Sequence, residues 1–413
     1  MLILHNASQI VTVDAHGEAH KAGRAMRELG IREHASLLIE GGTIYAILPS
    51  SDVRITGSDN VLDCTGKVIL PGFVDSHTHA VFAGERADEF AMRIEGKTYQ
   101  EIAAAGGGIV SSMRGVREST KEELSQSLLK RLDAMLQCGT TTAEIKSGYG
   151  LDCENDVKIL EAIKTAQHES PLELHATFLG AHAVPPEFKG RQDDYVEYVI
   201  NEMLPEIGRR DLAEFCDVFC DEGYFTVEQS ERIFRAALKF NMQPKVHVDE
   251  LAETGGAALA ARIGALSADH LLCVSDPGIE AMKSAGVVAT LLPGTAYFLG
   301  LKYADARKMI DAGLTVGLAT DFNPGTSPVW NMQMIISLAC TQMKMTVEEA
   351  IAGSTINGAA ALGKGNAIGS LEPGKQADAV VFGVPNYRDI AYYFGGNLVS
   401  SVMKRGEIVY TVN

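Results

Sequence analysis

Apolar strand-like runs that alternate with helical stretches, flanked by β-rich segments at both chain ends, predict a TIM-like (β/α)8 barrel with a second, discontinuous small β-sandwich domain. Eight strand candidates carry the barrel: Ile69–His79, Thr140–Lys146, Leu172–Ala181, Asp217–Cys220, Pro244–Val248, Leu266–His270, Val287–Leu292 and Thr315–Thr320. Helical patterns lie between most of them, such as Lys121–Gln137, Asn155–His168, Val227–Phe240 and Tyr303–Ala312. Eight βα units in series close most simply into a ring.

The elements follow in order. Residues 1–65 alternate short apolar runs with turns: Leu2-Ile3-Leu4, Gln9 to Val13, Ser36 to Ile39 and Thr43 to Ile47. Gly41-Gly42 between the last two marks a hairpin. The polar stretch His16 to His34 reads as a long loop or a poorly formed helix. The barrel is expected over residues 66–365, ending in a helical region, Val347–Leu362. After it come a turn-rich stretch, Gly369 to Lys375, and three short strands, Ala379 to Phe382, Leu398–Lys404 and Ile408–Val412. Pairing these with the N-terminal strands gives a composite domain of residues 1–65 and 366–413.

A chain of 413 residues has room for one large catalytic domain and a smaller one. A net charge of −17 argues against nucleic acid and anionic membrane surfaces as partners. It does not exclude a small anionic substrate, because one arginine can dominate a pocket. No basic segment followed by an apolar run opens the chain, so no secretory signal is expected. The uncharged runs Ser284 to Leu301 and Phe322 to Met343 contain Pro293, Pro324 and Pro328, and read as buried strand, loop and helix rather than a membrane span. Seven cysteines, an odd number, form no evident disulfide framework. Cys216 and Cys220 read as buried thiols. A reducing, cytoplasmic compartment is expected.

Barrel chemistry sits at the C-terminal strand ends. His77 and His79 end the first strand two residues apart, so both project to one side and can share a metal ion. Glu144 to Tyr149 end the second strand, His182 the third, His247 to Glu250 the fifth, His270 the sixth and Asp321 to Asn323 the eighth. Of 11 histidines, five fall at these ends, on four strands. His77, His79, His247 and Asp321 make a three-nitrogen, one-oxygen donor set that suits zinc or iron(II) and leaves a position for water. An aspartate there can take and return a proton.

The Val-Asp-x-His-x-His run from Val74 to His79, with His247, His270 and Asp321 at strands five, six and eight, resembles the amidohydrolase superfamily. The two-ended β domain, including Gly369 to Asp378, is similar too, and the likeness runs over nearly the whole chain. Many members hold two metals bridged by a carboxylated lysine on strand four. Asp217 to Tyr224 contains no lysine, and Lys146 lies on strand two. The resemblance therefore implies one divalent or trivalent ion per chain, zinc or iron.

Finer motifs resemble one branch of that superfamily. They are Gly84-Glu85-Arg86, Ile145 to Leu151, Phe178 to Pro185, His247 to Glu250, and Asp321 to Thr326. They imply hydrolysis of 4-imidazolone-5-propionate to N-formimino-glutamate, and a homodimer. Arg86 would grip the propionate, and Tyr149 would bond the tail or the ring. Asn323, Gly325 and Thr326 suit the carboxylate released on ring opening, although Asn-Pro-Gly-Thr is also ordinary turn chemistry. Asp321 or His270 would act as base, His270 or the metal would steady the oxyanion, and Glu250 and His182 would hold the ring nitrogens. Glu250 could also move a proton to the leaving nitrogen. A nucleobase aminohydrolase of the same fold is the nearest rival, but its substrates give Arg86 no partner. A barrel without chemistry is disfavoured, because all four metal-ligand candidates are present. Gly106-Gly107-Gly108 suits a lid hinge or a passive loop equally. Trp330, Met332, Met334, Met343 and Met345 read as core or interface.

Overall fold

The computed structural model describes residues 1–97, 101 and 106–412 of the chain. It opens with five strands, β1 (Leu2–Val11), β2 (Ile31–Glu40), β3 (Thr43–Pro49), β4 (Asn60–Asp63) and β5 (Val68–Pro71). Then come β6 (Phe73–Asp75), β7 (Thr140–Lys146), β8 (Glu173–Ala181), β9 (Phe215–Cys220), β10 (Gln243–Val248), β11 (Ser267–His270), β12 (Val288–Leu291) and β13 (Val316–Leu318). These eight form one sheet in sequence order, every pair parallel. The chain closes with β14 (Ala379–Phe382), β15 (Val399–Lys404) and β16 (Glu407–Thr411). They return to the N-terminal strands in a second sheet of order β16-β15-β14-β5-β1-β2-β3, with β4 beside β1. The barrel and the sheet from both chain ends are the expected architecture. One large apolar core spans the barrel and reaches one face of the second sheet, and a smaller core lies on that sheet's other residues.

Side chains and loop backbone complete the ring between β6 and β13. Asp75 accepts the Thr320 amide at 3.0 Å and the Thr320 hydroxyl at 2.6 Å. Beyond the strand ends, Asp321 N–H donates to the His77 carbonyl at 3.0 Å and His79 N–H to that of Phe322 at 2.9 Å. The extended pairing continues past β6, so His77 and His79 keep the same-side relation that their spacing implies.

One expected strand is in fact two. The run Ile69–His79 divides at Gly72: Val68–Pro71 pairs with β1 and β14, and Phe73–Asp75 pairs with β7. Both halves are buried and open on apolar residues, so burial alone does not divide them. Gly72 makes the crossing possible, because a Cβ there would lie 2.2 Å from Thr141 Oγ1 and 2.4 Å from its Cγ2. Thr141 is β-branched and cannot swing clear. Gly72→Ala is expected to cost about 1–3 kcal/mol. The check is a lowered thermal unfolding midpoint, with Gly57→Ala as the control, since a Cβ at Gly57 meets nothing within 4 Å.

Other boundaries move by smaller amounts. His34 belongs to β2, since Ile31 to Glu33 already pair with β1; before it lies only a short 3-10 turn, Gly23–Arg27. Three of the first four residues of β2 are exposed, which explains its polar composition. The expected hairpin is present: Gly41 and Gly42 take φ of 58° and 80°, and β2 and β3 pair on either side. The helical region Val347–Leu362 is two helices, Val347–Ser354 and Ile356–Ala360, broken at Thr355. Gly358 on the second packs against β6, where an added Cβ would lie 2.5 Å from the Val74 carbonyl oxygen. Met332, Met343 and Met345 are core residues, while Trp330 is 41% exposed. All seven cysteines are free, with Cys216 and Cys220 buried as expected. No helix among the described residues is long and apolar enough to cross a membrane.

Candidate active site

The metal-ligand candidates meet at the C-terminal mouth of the barrel. His77, His79 and His247 bring their ligand nitrogens within 4.8 Å of one another. His247 Nε2 lies 3.4 Å from His79 Nε2. Asp321 Oδ1 lies 3.4 Å from His79 Nε2 and 3.6 Å from His77 Nε2. Four donors around one ion at bonds of about 2.1 Å stand about 3.4 Å apart when tetrahedral. The observed separations match that edge. His77 Nε2 is buried and has no hydrogen-bond partner. Burial, aided by the Lys146 charge, holds the His77 imidazole well below its ordinary pKa, and burial with His182 does so for His79. Neutral imidazoles with converging lone pairs are what a metal site requires.

Carboxylates stand behind two of the three histidines. His77 Nδ1 donates to Asp269 Oδ2 at 2.6 Å, which leaves Nε2 free. His247 Nδ1 lies 3.0 Å from Asp217 Oδ2. These are carboxylate–histidine pairs of the kind that orient metal ligands. Burial opposes a charge on His247, but Asp217 outweighs it and raises the pKa. Asp321 is held on its far side, where Thr295 Oγ1 donates to Oδ2 at 2.5 Å. Burial pushes the Asp321 carboxyl up to about 6, against the pull of that hydrogen bond.

The donors open onto a cavity of about 430 Å³. It is lined by every site residue expected from the sequence except His77, which lies beneath it. His182 Nδ1 donates to the Gly148 carbonyl at 3.0 Å, so its Nε2 is an acceptor. Burial and then His247 push this imidazole down to about 3, and its ring stacks on His79 at 5.1 Å. Glu250 stands 3.6 Å from His270 Nδ1. Burial and the Asp321 charge push the Glu250 carboxyl up to about 8. Tyr149 is buried beside His79 and His182, with ring centroids at 5.9 and 5.5 Å.

Backbone strain gathers here. Asp249, His270, Leu271 and Asp321 have φ of 52°, 80°, 61° and 53°. Such angles are uncommon for residues other than glycine and persist where surrounding structure enforces them. Hydrogen bonds do so: Leu271 N–H donates to the Val248 carbonyl at 3.1 Å, and Cys273 N–H to that of Asp249 at 2.8 Å.

Arg86 reaches the cavity from the loop after the histidine pair, but its guanidinium is shared. Nε and Nη2 both donate to Glu89 Oε2, at 2.9 and 2.7 Å. Glu89 Oε1 also accepts the Gly108 amide at 3.1 Å, which ties the glycine run to Arg86. An added Cβ at Gly325 would lie 2.0 Å from Arg86 Nη1, so any larger residue there would push the guanidinium aside. Asn323 and Thr326 satisfy one another: Asn323 Oδ1 accepts from Gly325 N at 2.9 Å and Thr326 N at 2.7 Å. That is the turn chemistry open to this stretch, and it shapes the cavity wall.

Sequence reasoning missed Thr295, Asp217, Asp269 as a ligand holder, Glu89 and Arg93. An aspartate inside an apolar strand was the available signal for Asp217 and Asp269. Arg93 gave none: it reaches the cavity from the helix Ala87–Ile94 and donates to the Gly325 carbonyl at 3.1 Å.

A model of the amidohydrolase family matches residues 68–409. An imidazolonepropionase from Geobacillus kaustophilus (strain HTA426) is 49% identical, over 99% of this chain and 97% of that one. One from Clostridium tetani (strain Massachusetts / E88) is 46% identical, over 99% and 98%. Among solved structures, the zinc complex of atrazine chlorohydrolase from Arthrobacter aurescens TC1 superposes with a TM-score of 0.77 at 18% identity, covering 100% of this chain and 95% of that one. Guanine deaminase from C. acetobutylicum with bound guanine gives 0.73 at 13% identity, covering 99% and 100%. At these identities the solved structures share the fold.

Proposed function

The chain belongs to the amidohydrolase family, and we propose that it catalyses the reaction named in its close relatives, the opening of 4-imidazolone-5-propionate to N-formimino-L-glutamate in histidine degradation. It is a hydrolase of a cyclic amide carbon–nitrogen bond. One observation carries the reading: three histidine nitrogens and the Asp321 carboxylate converge at the cavity that the Arg86 guanidinium also reaches. The metal supplies Lewis acidity and brings the pKa of a water molecule toward neutrality. His77, His79, His247 and Asp321 would hold one ion. A single ion agrees with β9, which carries no lysine. The donor set accepts zinc or iron.

The residues divide the work. Asp321 takes the proton of the attacking water. His270, kept neutral by burial, donates a hydrogen bond to the oxygen that gains charge on the ring carbonyl. His182 Nε2 accepts a ring N–H. Glu250 in its acid form delivers a proton to the leaving nitrogen. Arg86 receives the propionate, with Glu89 yielding part of the guanidinium, and Tyr149 borders the same side. The wall formed by Asn323, Gly325 and Thr326 faces the carboxylate released on opening. A homodimer belongs to the same reading. The exposed run Tyr392-Tyr393-Phe394, at 74%, 53% and 75%, is a surface that a second chain would cover.

The test is loss of imidazolone absorbance with the purified protein, set against ammonia release from a nucleobase panel. Turnover of imidazolone propionate is expected, and Arg86→Met should lower kcat/KM about 10–100-fold, mostly through KM. Ammonia release without imidazolone turnover would replace this reading with a deaminase.

A further inference from the structure

Lys146 lines no part of the cavity and is fully buried in the barrel floor. It ends β7, two residues after Glu144, so both side chains point the same way into the barrel. Its Nζ donates to Glu144 Oε1 at 2.6 Å and to Asp217 Oδ2 at 2.8 Å, and lies 3.9 Å from Asp269 Oδ2. Asp217 Oδ2 is the oxygen beside His247 Nδ1, and Asp269 Oδ2 is the oxygen that accepts from His77 Nδ1. One ammonium thus stands behind both carboxylates that orient two of the three histidine ligands.

We propose that Lys146 is a positioning residue for the metal: it holds Asp217 and Asp269 in place so that His247 and His77 present Nε2 to the ion. The inference rests on the metal-site reading given above. Each of these histidines works as a ligand only with its proton on Nδ1, and that proton needs an acceptor held in a fixed place. Glu144, Asp217 and Asp269 lie in one dry floor, where like charges repel strongly. An ammonium among them offsets that repulsion and ties Glu144 and Asp217 down with hydrogen bonds. The other lysine in this floor, Lys245, does not serve: its Nζ donates to Ser267 Oγ and to the Ala361 carbonyl.

Two effects of removing Lys146 oppose each other. Loss of a nearby positive charge favours a bound cation, and loss of alignment disfavours it. Alignment wins, because Asp217 that has lost its hydrogen bond to Lys146 turns away from its neighbours, and the imidazole loses the acceptor that aims its Nε2 at the ion.

The experiment is zinc affinity of the metal-free protein, measured by competition with a chromophoric chelator, alongside thermal unfolding of the same metal-free samples. Lys146→Met is expected to weaken zinc binding about 10–100-fold. Lys146→Arg keeps the charge but displaces the carboxylates, and is expected to weaken it as well. Lys146→Met combined with Asp217→Asn should lose little more than either alone. Unchanged or tighter zinc binding in a folded Lys146→Arg or Lys146→Met variant overturns the proposal, even if the variant unfolds earlier. Failure of the parent protein to bind zinc or iron(II) would instead remove the metal-site reading itself.

Discussion

Chelation is expected to lower turnover of imidazolone propionate at least about 10³-fold, and stoichiometric zinc or iron(II) to restore it. The magnitude follows from the nucleophile. Bringing a water's pKa from 15.7 to about 7 is worth several kcal/mol of barrier, and 10³ needs only about 4. None of the residues around the cavity replaces this effect. Asp321 can take a proton, but alone it cannot make water a strong nucleophile near neutral pH. His247→Ala should lose activity to a similar extent and resist add-back, because His247 Nε2, 3.4 Å from His79 Nε2, supplies one corner of the donor set. Metal should also raise the unfolding midpoint, since an ion that binds only the folded state stabilises it by mass action. Full turnover in a protein shown to be metal-free would sink the mechanism.

Glu250→Gln is expected to lower kcat about 10²–10⁴-fold with metal content unchanged. Glu250 lies outside the donor cluster, so the ligand geometry does not depend on it. Its carboxyl, pushed up to about 8 by burial and by Asp321, is mostly in the acid form at neutral pH. The acid form is the one that can protonate a departing nitrogen. As pH rises through the Glu250 pKa that form is lost, so kcat should fall on the alkaline side and the Gln variant should lack this limb. The stability sign runs the same way. The folded pKa lies above that of the unfolded chain, so unfolding releases a proton and stability falls as pH rises from about 4.5 toward 8. The Gln variant escapes that loss and should be at least as stable as the parent at pH 8. A kcat within threefold of the parent would remove Glu250 as the proton donor.

Much of the site was legible because β-structure has period two and barrels place chemistry at strand ends. His77-x-His79, His182, His247, His270 and Asp321 all follow from those two rules, and the chain places them around one cavity, with His77 beneath it. Arg86 was legible as a cation near the pair, but its sharing with Glu89 was not. That ion pair is local, three residues along a helix start, and only the packing of Gly325 against the guanidinium shows where it points. Asn323 and Thr326 were open to two readings, and the structure shows how their polar groups are already committed within the turn.

The sequence by itself determined the repeat of strand and helix, the two-ended β domain and the donor types at each strand end, because these depend on local periodicity and residue chemistry. Tertiary structure alone decided which sheet each half of the Val68 to Asp75 run joins, since both halves are short and buried and their hydrogen-bond partners come from distant parts of the chain. It also decided that Lys146, Asp217 and Asp269 stand behind His247 and His77. Those residues come from different strands, and a buried charge takes its role from what barrel closure sets beside it, not from its neighbours in the chain.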